Sequence, residues 1–91
     1  MLMFNEVFRE KSARVLLTLK DTSSSWHLSK LAKSCGVTYI FVTKLMSKLE
    51  QVGIVSFEMK GKKKVVTLTE KGIQIVNMMD EIKKRIEEKS Q

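Results

Sequence analysis

The 91-residue sequence predicts one small domain of the α+β class, mainly α-helical with a β-hairpin and an extended C-terminal helix. Three observations predict this class. Apolar residues recur with a helical period in segments within 5–20, 30–35, 38–52 and 70–89, β-branched residues are enriched at 54–68, and glycines or a polar run separate the segments. A chain of this length has room for only a small core, because a short protein has a large surface for its volume.

The first helix is predicted to begin after Asn5, a residue type that caps helices well, and to reach about Lys20. Its apolar residues recur on one face of a helix with about 3.6 residues per turn. They are Phe8, Val15, Leu16 and Leu19. The polar run at 21–25 predicts a loop. Trp26 then begins a short extended segment.

Two further helices are predicted with only a short turn between them. Ser29 is expected to cap the second helix, and Gly36 supplies the left-handed conformation that commonly ends a helix. Thr38 is expected to cap the third helix, which reaches about Val52 and is ended by Gly53 in the same way. Two helices joined by a Gly-Val-Thr turn form a helix-turn-helix.

Between Gly53 and Thr69 the apolar residues no longer recur with a helical period, and the segments there resemble strands. Residues 54–59 and 64–68 have strand character, and the lysine-rich residues 60–63 between them predict the turn of a hairpin. Thr69 is expected to cap a last helix over 70–89. The order of three helices, a hairpin and a fourth helix is that of a winged helix-turn-helix.

The charge balance favours a polyanionic partner. Seventeen Lys and Arg against ten Asp and Glu give a net charge of +7. Nucleic acid is the first candidate partner, and an anionic membrane surface is the second.

Composition excludes other function classes. A single Cys35 allows no internal disulfide and fits a reducing compartment, and with one histidine it cannot complete a zinc site. No motif of catalysis or cofactor binding is present. No stretch approaches the roughly 18 apolar residues of a membrane helix, and Met1–Phe4 is too short for a signal peptide. We expect a cytoplasmic, intracellular protein without enzyme activity, metal or cofactor.

The third predicted helix carries a candidate DNA-binding face. Viewed down the helix axis, its apolar core positions lie on one side. The candidate contacts lie at the start of the helix and on the opposite side. These contacts are Thr38, Tyr39, Ile40, Thr43, Lys44, Ser47 and Lys48. A helix in a major groove needs donors for base edges and phosphates and small apolar groups for thymine methyls. A solvated helix face is the alternative, but apolar Ile40 and Phe41 on this side indicate a partner.

The predicted hairpin tip concentrates positive charge. Lys60, Lys62, Lys63 and Lys64 surround Gly61, which allows a positive φ. Crowded like charges repel unless a polyanion neutralises them, so we expect phosphate contacts that release counterions. The alternative is a tip that only keeps an edge hairpin soluble.

Three segments together resemble MarR-type regulators. Residues 28–38 are similar to the second helix and turn of that family, and 45–55 to the end of its recognition helix. Residues 66–72 are similar to the "leucine-threonine-x-lysine-glycine" close of its wing. The resemblance covers about residues 26–73. It implies the winged helix fold, duplex-DNA binding through the third helix and the wing, and a regulatory role as a dimer.

The sequence departs from that family in two respects. It is shorter, without the additional helices that build the dimer and an effector pocket, so we expect no small-molecule effector. The wing has lysines where the family has an Asp-Arg pair for the minor groove, and lysine binds phosphate as a point charge. The abbreviated plan looks more like compact archaeal and archaeal-virus winged-helix regulators.

The last helix is expected to form a homodimer. An apolar seam follows it with spacings of 4, 3 and 4, through Ile75, Met79, Ile82 and Ile86. A helix of about twenty residues is about 30 Å long, which is more than a small domain covers. We therefore divide the chain into a DNA-binding unit, 1–69, and a dimerisation helix, 70–91. The alternative is a helix that folds back on its own domain.

The sequence thus predicts a double-stranded DNA-binding transcriptional regulator that associates with the nucleoid when bound. Two other functions stay open. The same lysines would serve an architectural protein that coats DNA with little sequence specificity, and a winged helix can also act as a protein-interaction module.

Overall fold

The computed structural model describes residues 7–22 and 25–88, and within them the predicted α+β winged helix fold is confirmed. The elements whose bounds lie within these residues are four helices and a three-stranded antiparallel sheet with the strand order β1-β3-β2. In chain order the elements are α1 (Glu10–Leu19), β1 (Trp26–His27), α2 (Leu28–Cys35), α3 (Tyr39–Gln51), β2 (Val55–Lys60), β3 (Lys63–Leu68) and α4 (Glu70–Glu87).

The helix that the sequence predicts from Asn5 to Lys20 is interrupted near its start, because Val7 is helical but the residues that follow it are not. A turn at Phe8 and a bend at Arg9 precede α1, and the expected cap Asn5 lies outside the described residues. Arg9 is extended, with φ −75° and ψ 150°, and no side chain caps the helix. Assigning Phe8 to the buried face of this helix was therefore wrong, because its position lies before the helix and its side chain is half exposed.

The second helix starts two residues earlier than predicted, because its N-cap is His27 and not Ser29. The Nδ1 atom of His27 accepts a hydrogen bond from the backbone N–H of Lys30 at 3.3 Å. His27 also belongs to β1, where it pairs with Val65 of β3. One residue thus ends a strand and begins a helix, which leaves no separate linker between them.

The turn between α2 and α3 agrees with the sequence prediction. Gly36 has φ 68°, and its N–H donates to the carbonyl of Lys33. The Thr38 hydroxyl accepts from the N–H of Phe41 at 3.0 Å and so caps α3. Cys35, at the end of α2, is buried and its thiol donates to the Thr18 hydroxyl at 3.4 Å.

The hairpin turn is tighter than predicted. Lys60 and Lys63 are paired in the ladder, so the turn consists of Gly61 and Lys62 alone. Gly61 has φ 63° and Lys62 does not have a positive φ. A positive φ at only the first of two turn residues is the pattern of a type II′ turn, which suits the twist of a hairpin.

One hydrophobic core joins all the elements. Its fully buried side chains come from α1, α2, α3, the sheet and α4, and include Leu16, Leu31, Met46, Leu49, Val55, Val66 and Val76. The predicted core residues of α3, Val42, Leu45, Met46 and Leu49, are all buried. None of the helices in the described part of the chain is long and apolar enough to cross a bilayer.

Candidate nucleic-acid interface

The helix α3 separates into a buried side and an exposed side. Tyr39, Ile40, Lys44, Ser47 and Lys48 are exposed, and Thr43 is partly buried. Ile40 is the most exposed apolar residue of this helix, at 66 %. A large exposed apolar side chain between polar ones is unusual for a helix face that only meets water.

Phe41 does not belong to this exposed face as the sequence suggested. Its ring is partly buried and packs against the core, and the Nζ atom of Lys11 lies 6.0 Å from the ring centroid. Phe41 therefore belongs to the edge of the core, and Ile40 supplies the exposed aliphatic group near the start of the helix.

Two hydroxyl groups on α3 have defined hydrogen-bonding roles. The Thr43 hydroxyl donates to the carbonyl of Tyr39 at 2.8 Å, so in this rotamer it presents lone pairs, and not a donor, to a partner. The Thr38 hydroxyl uses a lone pair to accept from Phe41. Its own proton stays available for an acceptor such as a phosphate oxygen.

The β-hairpin formed by β2, the turn and β3 carries the four predicted lysines, and we call it the wing (residues 55–68). All four are exposed, and none of them forms an ion pair with the described residues. The Nζ atom of Lys64 lies 4.5 Å from the centroid of the Phe57 ring. This cation–π contact holds the ammonium group over the ring, and the Lys64 side chain as a whole remains exposed.

The lysines of the wing face two different surfaces. Lys63 and Lys64 line a groove together with Tyr39 of α3, and its other lining residues are His27, Leu28 and Ser29. We call this the wing groove. Lys60 instead lines a separate depression beside Lys20 and Trp26. The sequence pattern suggested one cluster of four lysines, whereas only Lys63 and Lys64 share a groove with α3.

Nearly all of the net charge lies in the winged part of the chain. Residues 26–69 contain eight lysines and only two acidic residues, Glu50 and Glu58, which gives +6 of the total +7. Ion pairs occur elsewhere, on α1 and α4, and include Lys20–Asp80 at 2.7 Å and Glu81–Arg85 at 3.1 Å. The acidic residues are thus concentrated away from α3 and the wing.

Two residues that hold this interface together were not identified as such from the sequence. The Nζ atom of Lys71 donates to the carbonyl of Val52 at the end of α3, at 2.8 Å. Gly72 lies against the carbonyl of Ile54, which a β-carbon at this position would overlap. Only the resemblance of residues 66–72 to a family motif pointed to this segment, and it did not indicate why these residues are required.

The Thr69 hydroxyl completes this junction between α3 and α4. It accepts from the N–H of Gly72 at 3.0 Å and lies 2.6 Å from the carbonyl oxygen of Gly53, to which it donates. The N–H of Thr69 donates to the carbonyl of Ile54. We call these contacts the Thr69 junction. They fix the end of α3 to the first turn of α4.

The predicted dimer seam is divided between core and surface. Met79 is buried in the core of this chain and Ile75 is partly buried against that core. Ile82 and Ile86 are exposed, and Ile86 is 76 % exposed. With Phe8, Ala13 and Leu17 they line an apolar groove, which we call the α1–α4 groove.

Comparisons with solved structures confirm the fold. No family model matches the chain, and no curated protein matches it in sequence. The structure of AF1382 from Archaeoglobus fulgidus is 22 % identical, with a TM-score of 0.83, and the match covers 94 % of this chain and 98 % of that one. A possible HxlR family transcriptional factor from Thermoplasma volcanium is 18 % identical, with a TM-score of 0.79 and coverages of 91 % and 76 %.

MepR, a transcription regulator of the Staphylococcus aureus multidrug efflux pump MepA, is also similar. It is 20 % identical with a TM-score of 0.78, and the match covers 94 % of this chain and 64 % of MepR. MepR has been solved in complex with DNA, and that structure matches with a TM-score of 0.77. The fold of this chain is therefore one that several transcriptional regulators share.

Proposed function

We propose that this protein binds double-stranded DNA as a homodimer and regulates transcription by occupying its binding site. The observation that carries the proposal is the exposed side of α3, where Ile40 stands among polar side chains next to a wing whose lysines have no acidic partners in the described structure. The similar structures include transcription regulators and a complex with DNA, which supports the same function.

In this proposal α3 lies in the major groove. Lys44 and Ser47 donate to base edges or phosphates, and Ile40 contacts thymine methyl groups. Thr43 accepts a hydrogen bond from a base amino group, since its own proton is held by the Tyr39 carbonyl. Thr38, Tyr39 and Lys48 lie at the ends of this face and contact the backbone.

The wing supplies affinity that does not depend on sequence. Lys62, Lys63 and Lys64 neutralise phosphates that flank the major groove, and the displaced counterions drive binding. Lys60 faces a different depression from the wing groove, so we assign it the smallest contribution of the four.

The dimer forms through the α1–α4 groove and the exposed end of the predicted seam. Ile82, Ile86 and Leu17 provide the apolar surface, and Ile75 and Met79 support it from within the protomer. Charged residues of both signs border this groove, with Glu10 and Arg14 on α1 and Lys83 and Glu87 on α4. A two-fold axis can pair such a surface with itself. We therefore keep the division into a DNA-binding unit, 1–69, and a dimerisation helix, 70–91.

Binding-site selection from random duplex DNA tests the proposal. We expect an enriched, pseudo-palindromic sequence whose half-sites are about one helical turn, or about 34 Å, apart. A variant with Lys44→Ala and Ser47→Ala should lose affinity for the enriched duplex more than for a random one. Failure to bind any duplex would contradict the proposal.

The architectural alternative is favoured by one specific observation, the wing that carries lysine and no arginine. A plot of log affinity against log salt for the enriched and a random duplex separates the two functions. A sequence-specific regulator gives a large difference in affinity between them, whereas similar affinities and slopes on both identify a protein that coats DNA.

A further inference from the structure

We propose that His27, in addition to α3 and the wing, binds a DNA phosphate in the wing groove. The inference rests on the proposed DNA-binding function and adds a residue to it. Neither the helical periodicity nor the lysine pattern pointed to His27, because its role depends on the meeting of β1, α2, α3 and β3 at one place.

The chemistry of the wing groove suits an anion. Its polar side chains are His27, Ser29, Tyr39, Lys63 and Lys64, all of which can donate hydrogen bonds. No carboxylate is among the lining residues. A surface made of donors and two ammonium groups favours a ligand with several acceptor oxygens and a negative charge, as in a phosphodiester.

The cap interaction determines which nitrogen of His27 can donate. Because Nδ1 accepts from the N–H of Lys30, the neutral imidazole must carry its proton on Nε2. Nε2 has no hydrogen-bond partner within residues 7–22 and 25–88. The ring therefore offers one unused donor.

The position of His27 is fixed before any ligand arrives. Its backbone pairs with Val65 in the sheet, and its ring is held by the cap of α2 and is partly buried. A donor that is already ordered loses little conformational entropy on binding, unlike the long flexible lysines beside it. Tyr39, the first residue of α3, lines the same groove. A DNA strand in contact with the first turn of α3 would thus place a flanking phosphate near His27.

The test is His27→Asn, measured on the duplex enriched by selection or, if none is enriched, on a random duplex. Asparagine is a favoured N-cap residue, so the variant keeps the acceptor for Lys30 and loses the Nε2 donor. We expect binding to weaken by about tenfold to a hundredfold per half-site, as for loss of a hydrogen bond to a charged group. The slope of log affinity against log salt should stay unchanged, because a neutral imidazole releases no counterion.

A matched control is Lys63→Ala, which changes a charged residue of the same groove. This variant should lower the salt slope by about 1 per protomer. His27→Ala, which removes both the cap and the donor, should melt at a lower temperature than His27→Asn. The comparison separates a loss of DNA contact from a loss of folded protein.

The phosphate itself can be located by replacing single phosphodiesters of the duplex with neutral methylphosphonates. One replacement should weaken wild-type binding more than it weakens His27→Asn, which is the coupling expected for direct contact. Because the chain has a single histidine, the imidazole nitrogen signals in an NMR spectrum are unambiguous. They should show the Nε2–H tautomer in the free protein and a shift of Nε2 when DNA is added.

The outcomes distinguish this inference from the function on which it rests. If wild type binds the duplex, the lysine variant weakens binding and His27→Asn binds like wild type, the role of His27 is wrong and the proposed function stands. An Nε2 signal that does not move at saturating DNA leads to the same conclusion, even if His27→Asn does not fold. If wild type binds no duplex, both proposals are wrong.

Discussion

Gly72, in the first turn of α4, lies so close to the carbonyl oxygen of Ile54 that the position has no room for a β-carbon. The contact joins α4 to the segment that follows α3. Since Gly72 is helical and does not have a positive φ, the requirement for glycine here is one of space, and not of backbone conformation.

Gly72→Ala should destabilise the protein, although alanine is intrinsically better than glycine in a helix by about 1 kcal/mol. The new methyl group must displace α4 from Ile54 and disturb the Thr69 cap. We expect the free energy of unfolding in urea to fall by about 2–4 kcal/mol. Gln74→Ala, at an exposed position of the same helix, serves as the control and should change stability by less than about 0.5 kcal/mol. Equal stabilities for the two variants would show that the close approach is relaxed in solution.

The Thr69 hydroxyl should contribute to stability through both of its contacts. Thr69→Val keeps the shape of the side chain but leaves the N–H of Gly72 and the carbonyl of Gly53 without this partner. We expect a loss of about 1–2 kcal/mol in the free energy of unfolding. Thr69→Ser retains the hydroxyl and should lose less than half as much. If serine and valine have the same effect, packing of the methyl group matters and the hydrogen bonds do not.

The position of charge, and not its amount, should determine DNA affinity. The double variant Lys63→Ala, Lys64→Ala removes two charges at the wing groove, and Lys84→Ala, Arg85→Ala removes two from α4. The first should lower the slope of log affinity against log salt by about 2 per protomer and weaken binding at low salt. The second should leave the slope nearly unchanged. Similar slopes for the two double variants would indicate only a diffuse attraction by net charge.

Ile82 provides a matched test of dimerisation, because Ile73 on the same helix has nearly the same exposure. Their side chains are 47 % and 48 % exposed, but only Ile82 lines the α1–α4 groove. Ile82→Lys should shift the protein to monomers in sedimentation equilibrium at micromolar concentration, since a charge would be buried in an apolar interface. Ile73→Lys should remain dimeric. A wild-type protein that is monomeric under these conditions would contradict the proposed dimer.

Asp80 should make stability depend on pH in the acidic range. The hydrogen bond from Lys20 holds the pKa of the Asp80 carboxyl below its ordinary value of 3.8, and the charges of Lys20 and Lys84 act in the same direction. A carboxyl whose pKa is lower in the folded state than in the unfolded state stabilises the protein at pH values above its unfolded-state pKa. That contribution is lost as the pH falls through the pKa of the carboxyl in the folded state.

Wild type should therefore be more stable than Asp80→Asn at neutral pH, and the difference should diminish as the pH falls below 3.8. Chemical unfolding at a series of pH values measures it. Because the pair is partly exposed, added salt should reduce the difference at neutral pH. A difference that is constant with pH would mean that the Lys20–Asp80 contact does not persist in solution.

Local sequence signals predicted most of the fold. Thr38, Gly36 and Gly53 act where the sequence suggested, because capping and left-handed positions depend on a few neighbouring residues. The start of α2 was missed by two residues, since His27 and Ser29 are both able to cap a helix and periodicity does not fix a boundary within one turn. The type II′ turn was missed because four lysine-rich residues look equally polar.

The functional surfaces were less predictable because they depend on contacts between distant residues. Met79 has the spacing of a seam residue, but the packing of α4 on α1 buries it. Phe41 looked exposed from its helical angle, and its ring packs against the core. The division of the wing lysines between two depressions follows from strand pairing and from the position of β1 beside β3. None of these relationships is local in sequence.

The Thr69 junction has a mechanical consequence. The Nζ atom of Lys71 donates to the carbonyl of Val52 at the end of α3, and the Thr69 hydroxyl donates to the carbonyl of Gly53. We therefore expect α3 and α4 to move together as one rigid unit. In a dimer joined along α4, the crossing angle of the two α4 helices would then set the distance between the two α3 helices. A change of a few degrees at the subunit contact would move both α3 helices relative to successive turns of the duplex, because the hydrogen bonds of the Thr69 junction join α3 directly to α4.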